Sequence, residues 1–495
     1  MKKFFNNKYI YIPFAVILFL FIAYMTADVY FDNDGYWILS TGEYIINHGI
    51  PKINPFTFIP NLNIIIQQWP WAVYCYKIYS LFGNKGIYIS ALSLFLINVF
   101  LFSRIAKIKK ADINLSVIFV LFIFTINYVF ISIRPTMLTV LLLAMEIYIL
   151  EYYKNTNKKC VLIVLVLLSL LEINIHSAIW FLHFVFLLPY IVPPIKNPFV
   201  LFKETSIKRM PIIITMIPMF LVGFINPYGI NGMLYLFYSF GDKLKNAGIS
   251  ELGCWTLKDF YGILIISSVF LILYICTKKK SKNIPIDSAA FYLFCGTTIM
   301  GCMYIRNLIY FVFGLIIITI ELISQIDLKQ FYSWIEKQNK YTCLSTWLII
   351  FLAIGLLGKD TYTAINKSFD EINDNPIKIV KYLNDNDVNK ESTKIYTEFN
   401  SGGYFEFKGY HCFIDARPEL YFKSLNKKQD VFDDYMNVNH TSKVKNIEKF
   451  LDKYNFDYLC ISSGTTFDIY MQTNNKYKMV EKDKNAGYKL YQKIN

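Results

Sequence analysis

Residues 28–58 read DVYFDNDGYWILSTGEYIINHGIPKINPFTF, a stretch that leaves the first apolar run and holds three Asp, a Glu, a Trp and several aromatics. Asp32 and Asp34 flank one residue just ahead of Tyr36 and Trp37, so the spacing sets two carboxylates at the mouth of a bilayer-embedded cavity. Paired acids in such a place bind a cation or take a proton from a substrate hydroxyl. The plainer reading is a solvated loop whose Trp and Tyr anchor at the membrane interface. A D-x-D pair alone does not choose between them.

Composition narrows the class. The chain has 495 residues, of which 55% are hydrophobic and 18% aromatic, the profile of a polytopic membrane protein. Its net charge of +14 does not indicate a nucleic-acid partner, because the Lys and Arg sit in short clusters between apolar runs, where they set topology. Nine cysteines are scattered without a C-x-x-C, which indicates packing thiols and neither a disulfide framework nor a zinc site.

The first run, Tyr9 to Ala27, is long enough to span and lacks a convincing cleavage site, so it reads as an uncleaved span. Lys2, Lys3 and Lys8 place the N-terminus in the cytoplasm and the Asp32 loop, residues 28–85, outside. Within that loop Ile64 to Phe82 reads as an amphipathic helix along the membrane surface. Further runs follow at 86–103, 113–132, 135–153, 160–176, 178–195, 210–226, 260–277, 288–305, 307–324 and 344–358. The clusters around Lys109, Lys154, Lys203 and Lys280 then fall inside at every turn, predicting eleven spans with the C-terminus outside. The two short runs around His176 are joined by almost nothing and read as a re-entrant or broken pair.

After residue 360 the apolar runs shrink. Ile377 to Leu383 and Ile447 to Tyr454 predict helices, while Lys394 to Thr397, His411 to Ile414 and Tyr458 to Ser462 predict strands. The expected fold is an α-helical polytopic membrane bundle over residues 1–359 with an extracytoplasmic α/β domain over residues 360–495.

On that topology the unusual polar residues share the outer face: Arg134 before Pro135; Glu172, Asn174 and His176; Asn226-Pro227-Tyr228-Gly229; Glu251 with Trp255; and Arg306-Asn307. Singly, the arginines snorkel, His176 packs and Asn226 makes a turn. Together they place acids, arginines and a histidine at one aqueous face of a bundle, where ionisable groups are functional candidates.

The run D-x-D-x-Y-W-x4-G-E-Y-I-I-x2-G-I-P-x2-N-P-F-T-F, with Gln68-Trp69, Ile133-Arg134-Pro135, Asn174-Ile175-His176, Asn226-Pro227-Tyr228-Gly229 and Arg306-Asn307, carries a resemblance. Asn400-Ser401-Gly402-Gly403-Tyr404 and Phe413-Ile414-Asp415-Ala416-Arg417 complete it. In this order the chain resembles a bacterial membrane family of the GT-C-type glycosyltransferase superfamily. The resemblance implies a multi-span, GT-C-like enzyme that uses a polyprenyl-phosphate-linked sugar donor, with a catalytic acid in the first outer loop. The family often shows Asp-Gly-Arg where this chain has Asp415-Ala416-Arg417, and Trp-Trp at Tyr36-Trp37.

Sugar transfer from a lipid phosphate needs a base for the acceptor hydroxyl and cations for the leaving phosphate. Asp34 is the first choice of base and Asp32 the second, the other acid orienting the acceptor or holding a metal. Glu43 is a reserve acid. Arg134 and Arg306 clamp the phosphate with help from His176, and Tyr36, Trp37, Asn226, Tyr228 and Glu251 line the cavity. Gly402, Gly403, Asp415 and Arg417 either shape the outer domain toward that cavity or form a hairpin turn and an internal salt bridge. A divalent metal is compatible with these acids, though no ligand spacing demands it. The expected partners are the lipid-linked donor and membrane lipids, in a multi-pass cell-membrane protein. A transporter or lipid-glycan flippase is the principal rival, weakened by the lack of repeated halves. An envelope assembly protein would leave the membrane-edge acids unused.

Overall fold

A computed structural model describes residues 33–126, 134–195, 202–203, 207–239, 285–325, 375–441 and 443–494. Asp32, Glu251 and the apolar runs at 9–27, 260–277 and 344–358 lie outside these residues, as does the boundary expected near 360.

Each apolar run within the described residues is helical. Helix α1 (Asn33–His48) opens the first loop, and α2 (Trp69–Ile108) follows. Gly83 interrupts α2 with φ 61° and ψ −151°, a conformation that L-residues rarely adopt, so the expected surface segment and the next apolar run are two helices joined at a kink. Then come α3 (Ile113–Ile126), α4 (Thr136–Thr156), α5 (Ile163–Ile175), α6 (Phe181–Ile191), α7 (Arg209–Leu221), α8 (Ser288–Met303) and α9 (Leu308–Ile323). Among the described residues α2 and α4 are long and apolar enough to cross a membrane; α7, α8 and α9 are apolar but shorter. Helix α9 is apolar on all sides and buried from Ile309 to Ile323, the pattern of a central helix. Phe313 on α9 meets Phe102 and Phe186 edge-on, and Leu143 and Ile147 of α4 belong to the same core. The pair around His176 is broken as expected: His176 leaves helical geometry at φ −156°, ψ 71° between α5 and a single 3-10 turn that leads into α6.

The lysines expected only to set topology do more. Lys109 is buried against Glu151 (3.1 Å), Asp287 (2.7 Å) and Glu321 (3.3 Å). Lys154 pairs with Glu151 (2.7 Å) and Asp287 (2.6 Å), and Lys203 pairs with Glu321. A parallel bridge between Phe202 and Ile286 holds Lys203 in place.

In the C-terminal part, α10 (Ile377–Asp385), α11 (Gly402–Phe407), α12 (Val431–His440), α13 (Val444–Tyr454) and α14 (Thr466–Met471) surround a four-stranded sheet. Its strands are β1 (Ile395–Tyr396), β2 (Tyr458–Ser462), β3 (Tyr477–Asp483) and β4 (Tyr488–Lys493), in the order β1-β2-β4-β3. Strand β1 runs parallel to β2, and β4 is antiparallel to both its neighbours. Helix α13 buries Ile447, Phe450, Leu451 and Tyr454, the i, i+3, i+4, i+7 stripe of an amphipathic helix.

Two expectations here are corrected. His411 to Ile414 does not join the sheet: Cys412 bridges Thr57 of the first loop and donates its N–H to the Phe56 carbonyl (2.9 Å). Its partner strand therefore comes from the other end of the chain. Gly402 and Gly403 start α11 and make no hairpin turn. A Cβ on Gly402 would stand 1.9 Å from the Ile414 carbonyl oxygen, so the close approach of two backbones requires glycine.

The first loop and the C-terminal part share their cores. Phe56, Leu62 and Ile64 pack with Phe413, Phe456 and Leu459, while Tyr36, Trp37 and Leu39 pack with Tyr404, Phe405 and Leu490. This docking fixes α1 at the junction of bundle and domain.

Candidate active site

Helix α1 carries Asp34 in its first turn, where a carboxylate is favoured by the helix dipole. Trp37, one turn on, donates its indole N–H to Asp34 Oδ1 (3.0 Å). Arg134, at the entry to α4, pairs through Nη2 with Asp34 Oδ2 at 2.8 Å. Both charged side chains keep roughly a quarter of their surface exposed (27% and 22%), so the pair can be reached from solvent.

Above α1 lies Arg417. Its guanidinium donates to Asp415 Oδ1 (2.9 Å) and Oδ2 (2.7 Å), to both Glu406 oxygens (3.0 and 2.9 Å), and to Thr41 Oγ1 on α1 (3.2 Å). It also stacks on the Trp37 ring, 4.7 Å from the centroid, and on Phe56 at 5.1 Å. Tyr421 donates to Asp415 Oδ2 at 2.8 Å. Burial alone would raise the Asp415 carboxyl, yet Arg417 overrides it and holds Asp415 below its ordinary range. Burial, aided by the Asp415 charge, pushes Glu406 well above its own. The Asp415/Arg417 salt bridge is internal to the domain, and the same guanidinium fastens the domain to α1.

Arg306 sits in the 3-10 turn between α8 and α9, exposed, and among the described residues its side chain has no hydrogen bond or ion pair. Its positive charge reaches Tyr235 and Glu419, which are hydrogen-bonded to each other. Burial pushes the Glu419 carboxyl up. Neither Tyr235 nor Glu419 stood out in the sequence: each is one residue in a run without a motif, and only the fold joins them across 184 positions.

The remaining expected site residues divide. Tyr36 is fully buried, donated to by Asn375 (2.7 Å) and packed edge-on against Tyr404, so its ring has no open face for a sugar. Trp37, 6% exposed, lies under Arg417 and is likewise covered. Glu43 projects to the exposed side of α1, nine residues and half a helical revolution from Asp34, and accepts from Tyr76 (3.0 Å). His176 turns into the bundle, with Nδ1 3.1 Å from Thr139 Oγ1, and the Arg306 charge acts on it from nearby. Asn226 closes its own turn, accepting from the Tyr228 N–H (2.8 Å) and donating to the Gly223 and Gly229 carbonyls. Tyr228 donates to the Pro51 carbonyl (3.1 Å) and Asn174 accepts from Trp69 (3.1 Å), so both tie the first loop to the bundle end.

Among the described residues, Glu406, Cys412 and Asp415 are the acid and thiol side chains close enough to share one ion, within 4.8 Å of one another. They do not fit a metal, because the Arg417 guanidinium already bonds both carboxylates and supplies the positive charge. The Asp34 charge is likewise met by Arg134.

No family model matches the sequence, and neither does any curated protein. Solved structures do match. The Archaeoglobus fulgidus oligosaccharyltransferase tethered with an acceptor peptide containing the NVT sequon aligns with TM-score 0.54 at 12% identity, over 92% of this chain and 69% of its own. The same organism's oligosaccharyltransferase AglB in complex with an inhibitory peptide and a dolichol-phosphate aligns with the same values. Its complex with Zn and sulfate aligns with TM-score 0.51 at 9% identity, over 90% of this chain and 67% of its own. The chain thus shares the fold of the archaeal oligosaccharyltransferase over most of its length. At this identity the likeness concerns fold alone.

Proposed function

We propose that this protein is a membrane glycosyltransferase that moves a sugar from a polyprenyl-phosphate donor to an extracytoplasmic acceptor, in a multi-pass topology with the N-terminus inside. The observation that carries the reading is the solvent-accessible Asp34–Arg134 pair at the bundle end, roofed by the outer domain, in an oligosaccharyltransferase fold. Asp34 is the base and Arg134 its resting counter-ion. An anionic donor phosphate competes with Asp34 for the Arg134 guanidinium, and the carboxylate it releases becomes a better proton acceptor. The acceptor nucleophile then attacks the anomeric carbon, its proton passes to Asp34, and the electron pair of the broken C–O bond leaves with the lipid phosphate. Arg306, exposed on the same side of the fold as Glu419, supplies the second positive charge for that phosphate. Asp32 remains the alternative acid. The acceptor is a cell-envelope glycan, lipid or protein; the peptide bound by the archaeal enzyme makes a polypeptide the first to try.

The test is transfer from polyprenyl-phosphate sugars by the purified full chain. Asp34→Asn keeps the shape and is expected to lower turnover by about 10²–10⁴-fold while the protein still inserts. Wild-type turnover in Asp34→Asn and Asp32→Asn would overturn the mechanism, and sugar movement without release of lipid phosphate would favour the transporter.

A further inference from the structure

A second set of polar side chains lies inside the bundle and is not used by the chemistry above. Thr139, Glu146, Glu172 and His183 are 0% exposed and His176 is 5% exposed, on α4, α5, α6 and the break between α5 and α6. Thr139 Oγ1 lies 2.8 Å from Glu172 Oε1 and 3.1 Å from His176 Nδ1. His183 Nδ1 contacts Glu146 Oε2, and His183 Nε2 stands 3.7 Å from Glu172 Oε2. Three polar atoms here have no hydrogen-bond partner: Glu146 Oε1, Glu172 Oε2 and His183 Nε2. Groups that only glue helices together are satisfied, because an orphaned polar atom costs about 1–3 kcal/mol.

From this geometry we propose that His176, Thr139, Glu172, His183 and Glu146 form a proton relay that leads from the outer end of the bundle into its interior. Thr139 has one hydroxyl hydrogen and two polar neighbours, which leaves two arrangements. In one, His176, made imidazolium by a proton arriving at Nε2, donates its Nδ1–H to Thr139 and Thr139 donates to the Glu172 carboxylate. In the other, protonated Glu172 donates to Thr139 and Thr139 donates to His176 Nδ1. Passing from the first to the second moves one proton from His176 to Glu172 with no net change elsewhere. The next hop, from Glu172 Oε2 to His183 Nε2, crosses the 3.7 Å gap after a small side-chain shift or through one water. His183 then hands its Nδ1 proton to Glu146.

The surroundings favour a proton as cargo. With His183 neutral and its proton on Nδ1, as the hop to Nε2 requires, the two carboxylates share two negative charges, and a proton held on one of them halves that charge. Tyr310 of α9 and Tyr190 of α6 lie within electrostatic reach of Glu172 and Glu146, whereas the positive charge of Arg306 opposes a proton resting on His176 and so drives it on toward Glu172. The outer end is close to the proposed active site: the Thr139 N–H bonds the carbonyl of Pro135, next to Arg134. The relay stands without the transfer chemistry, since its test needs no substrate.

The full chain in lipid nanodiscs is transferred from H2O to D2O and followed in the infrared. A buried protonated carboxyl is expected to give a C=O band that shifts on deuteration and disappears in Glu172→Gln or Glu146→Gln. Thr139→Val, which removes only the hydroxyl, is expected to slow that shift at least about tenfold, an added barrier of about 1.4 kcal/mol. His176→Gln serves as the second probe if Thr139→Val does not fold. Wild-type exchange rates in the folded variants, or no protonated carboxyl band in the wild type, would overturn the relay and leave these residues as helix–helix contacts.

Discussion

Two clusters of buried charge hold this molecule together, and they are balanced differently. At the lysine-rich end, Lys109, Lys154 and Lys203 face Glu151, Asp287 and Glu321, cation for anion. At the joint between α1 and the C-terminal domain a single cation, Arg417, faces two carboxylates, Asp415 and Glu406. The first needs nothing further to be neutral. The second becomes neutral only when Glu406 keeps a proton, which the upward shift of that carboxyl provides. One cluster is a lock between helices; the other is a joint between domain and helix whose charge depends on pH.

Removing the lone cation should have an effect as large as any. Arg417→Met leaves two acids buried without a counter-ion and is expected to cost about 3–5 kcal/mol. It should also undock α1, since Thr41 and Trp37 lose their partner. Thermal unfolding and proteolysis of residues 33–66 measure both. A loss below 1 kcal/mol would mean that the joint is not ionic at all.

The backbone contact under the joint comes next. Gly402→Ala drives a methyl into the Ile414 carbonyl beside Asp415 and is expected to cost about 1–3 kcal/mol through overpacking. Gly296→Ala in α8 is the control, because a Cβ there meets nothing within 4 Å.

The pH dependence follows from the two carboxyls. The folded Glu406 sits well above its ordinary 4.5, so the stability it contributes is full below that value and is lost as pH rises through the raised one. The folded Asp415 sits below its ordinary 3.8, so its contribution is present above 3.8 and is lost as pH falls through the depressed value. Glu406→Gln, an imitation of the protonated acid, should flatten the alkaline-side decline of Tm and leave the acid side unchanged. A decline as steep as in the wild type would assign the pH dependence to other groups.

What the sequence revealed follows the range of the interactions. Helices at 136–156 and 308–323 were legible because apolar run length is a local signal. The role of Lys109 was not, because its partners Asp287 and Glu321 lie 178 and 212 residues away and its cluster also satisfies a topology rule. Arg134 looked like a free phosphate clamp until the fold brought Asp34 to it. Tyr36 and Trp37 looked like a platform because an aromatic pair in a loop gives no hint of what covers it; Tyr404 and Arg417 do. The hairpin of β3 and β4 left little trace beyond the turn residues Asn485-Ala486-Gly487, because a bulge at Met479/Glu481 and the near-continuous burial of β4 break the alternation that marks a strand.

The smallest effect tests whether the lysine-rich cluster is one unit. Lys109 is 3% exposed and Lys203 is 38% exposed, although both pair with Glu321. If burial sets the strength of each pair, Lys109→Met costs about 3–5 kcal/mol, whereas Lys203→Met, screened by solvent, costs about 0.5–1 kcal/mol. Adding salt should weaken the second contribution and leave the first, because a buried pair is poorly screened. Urea unfolding of the two variants at low and high ionic strength measures the difference. Equal losses would show that Lys203 is as firmly held as Lys109, and the cluster would then behave as one network of six charges in which no member can be removed cheaply.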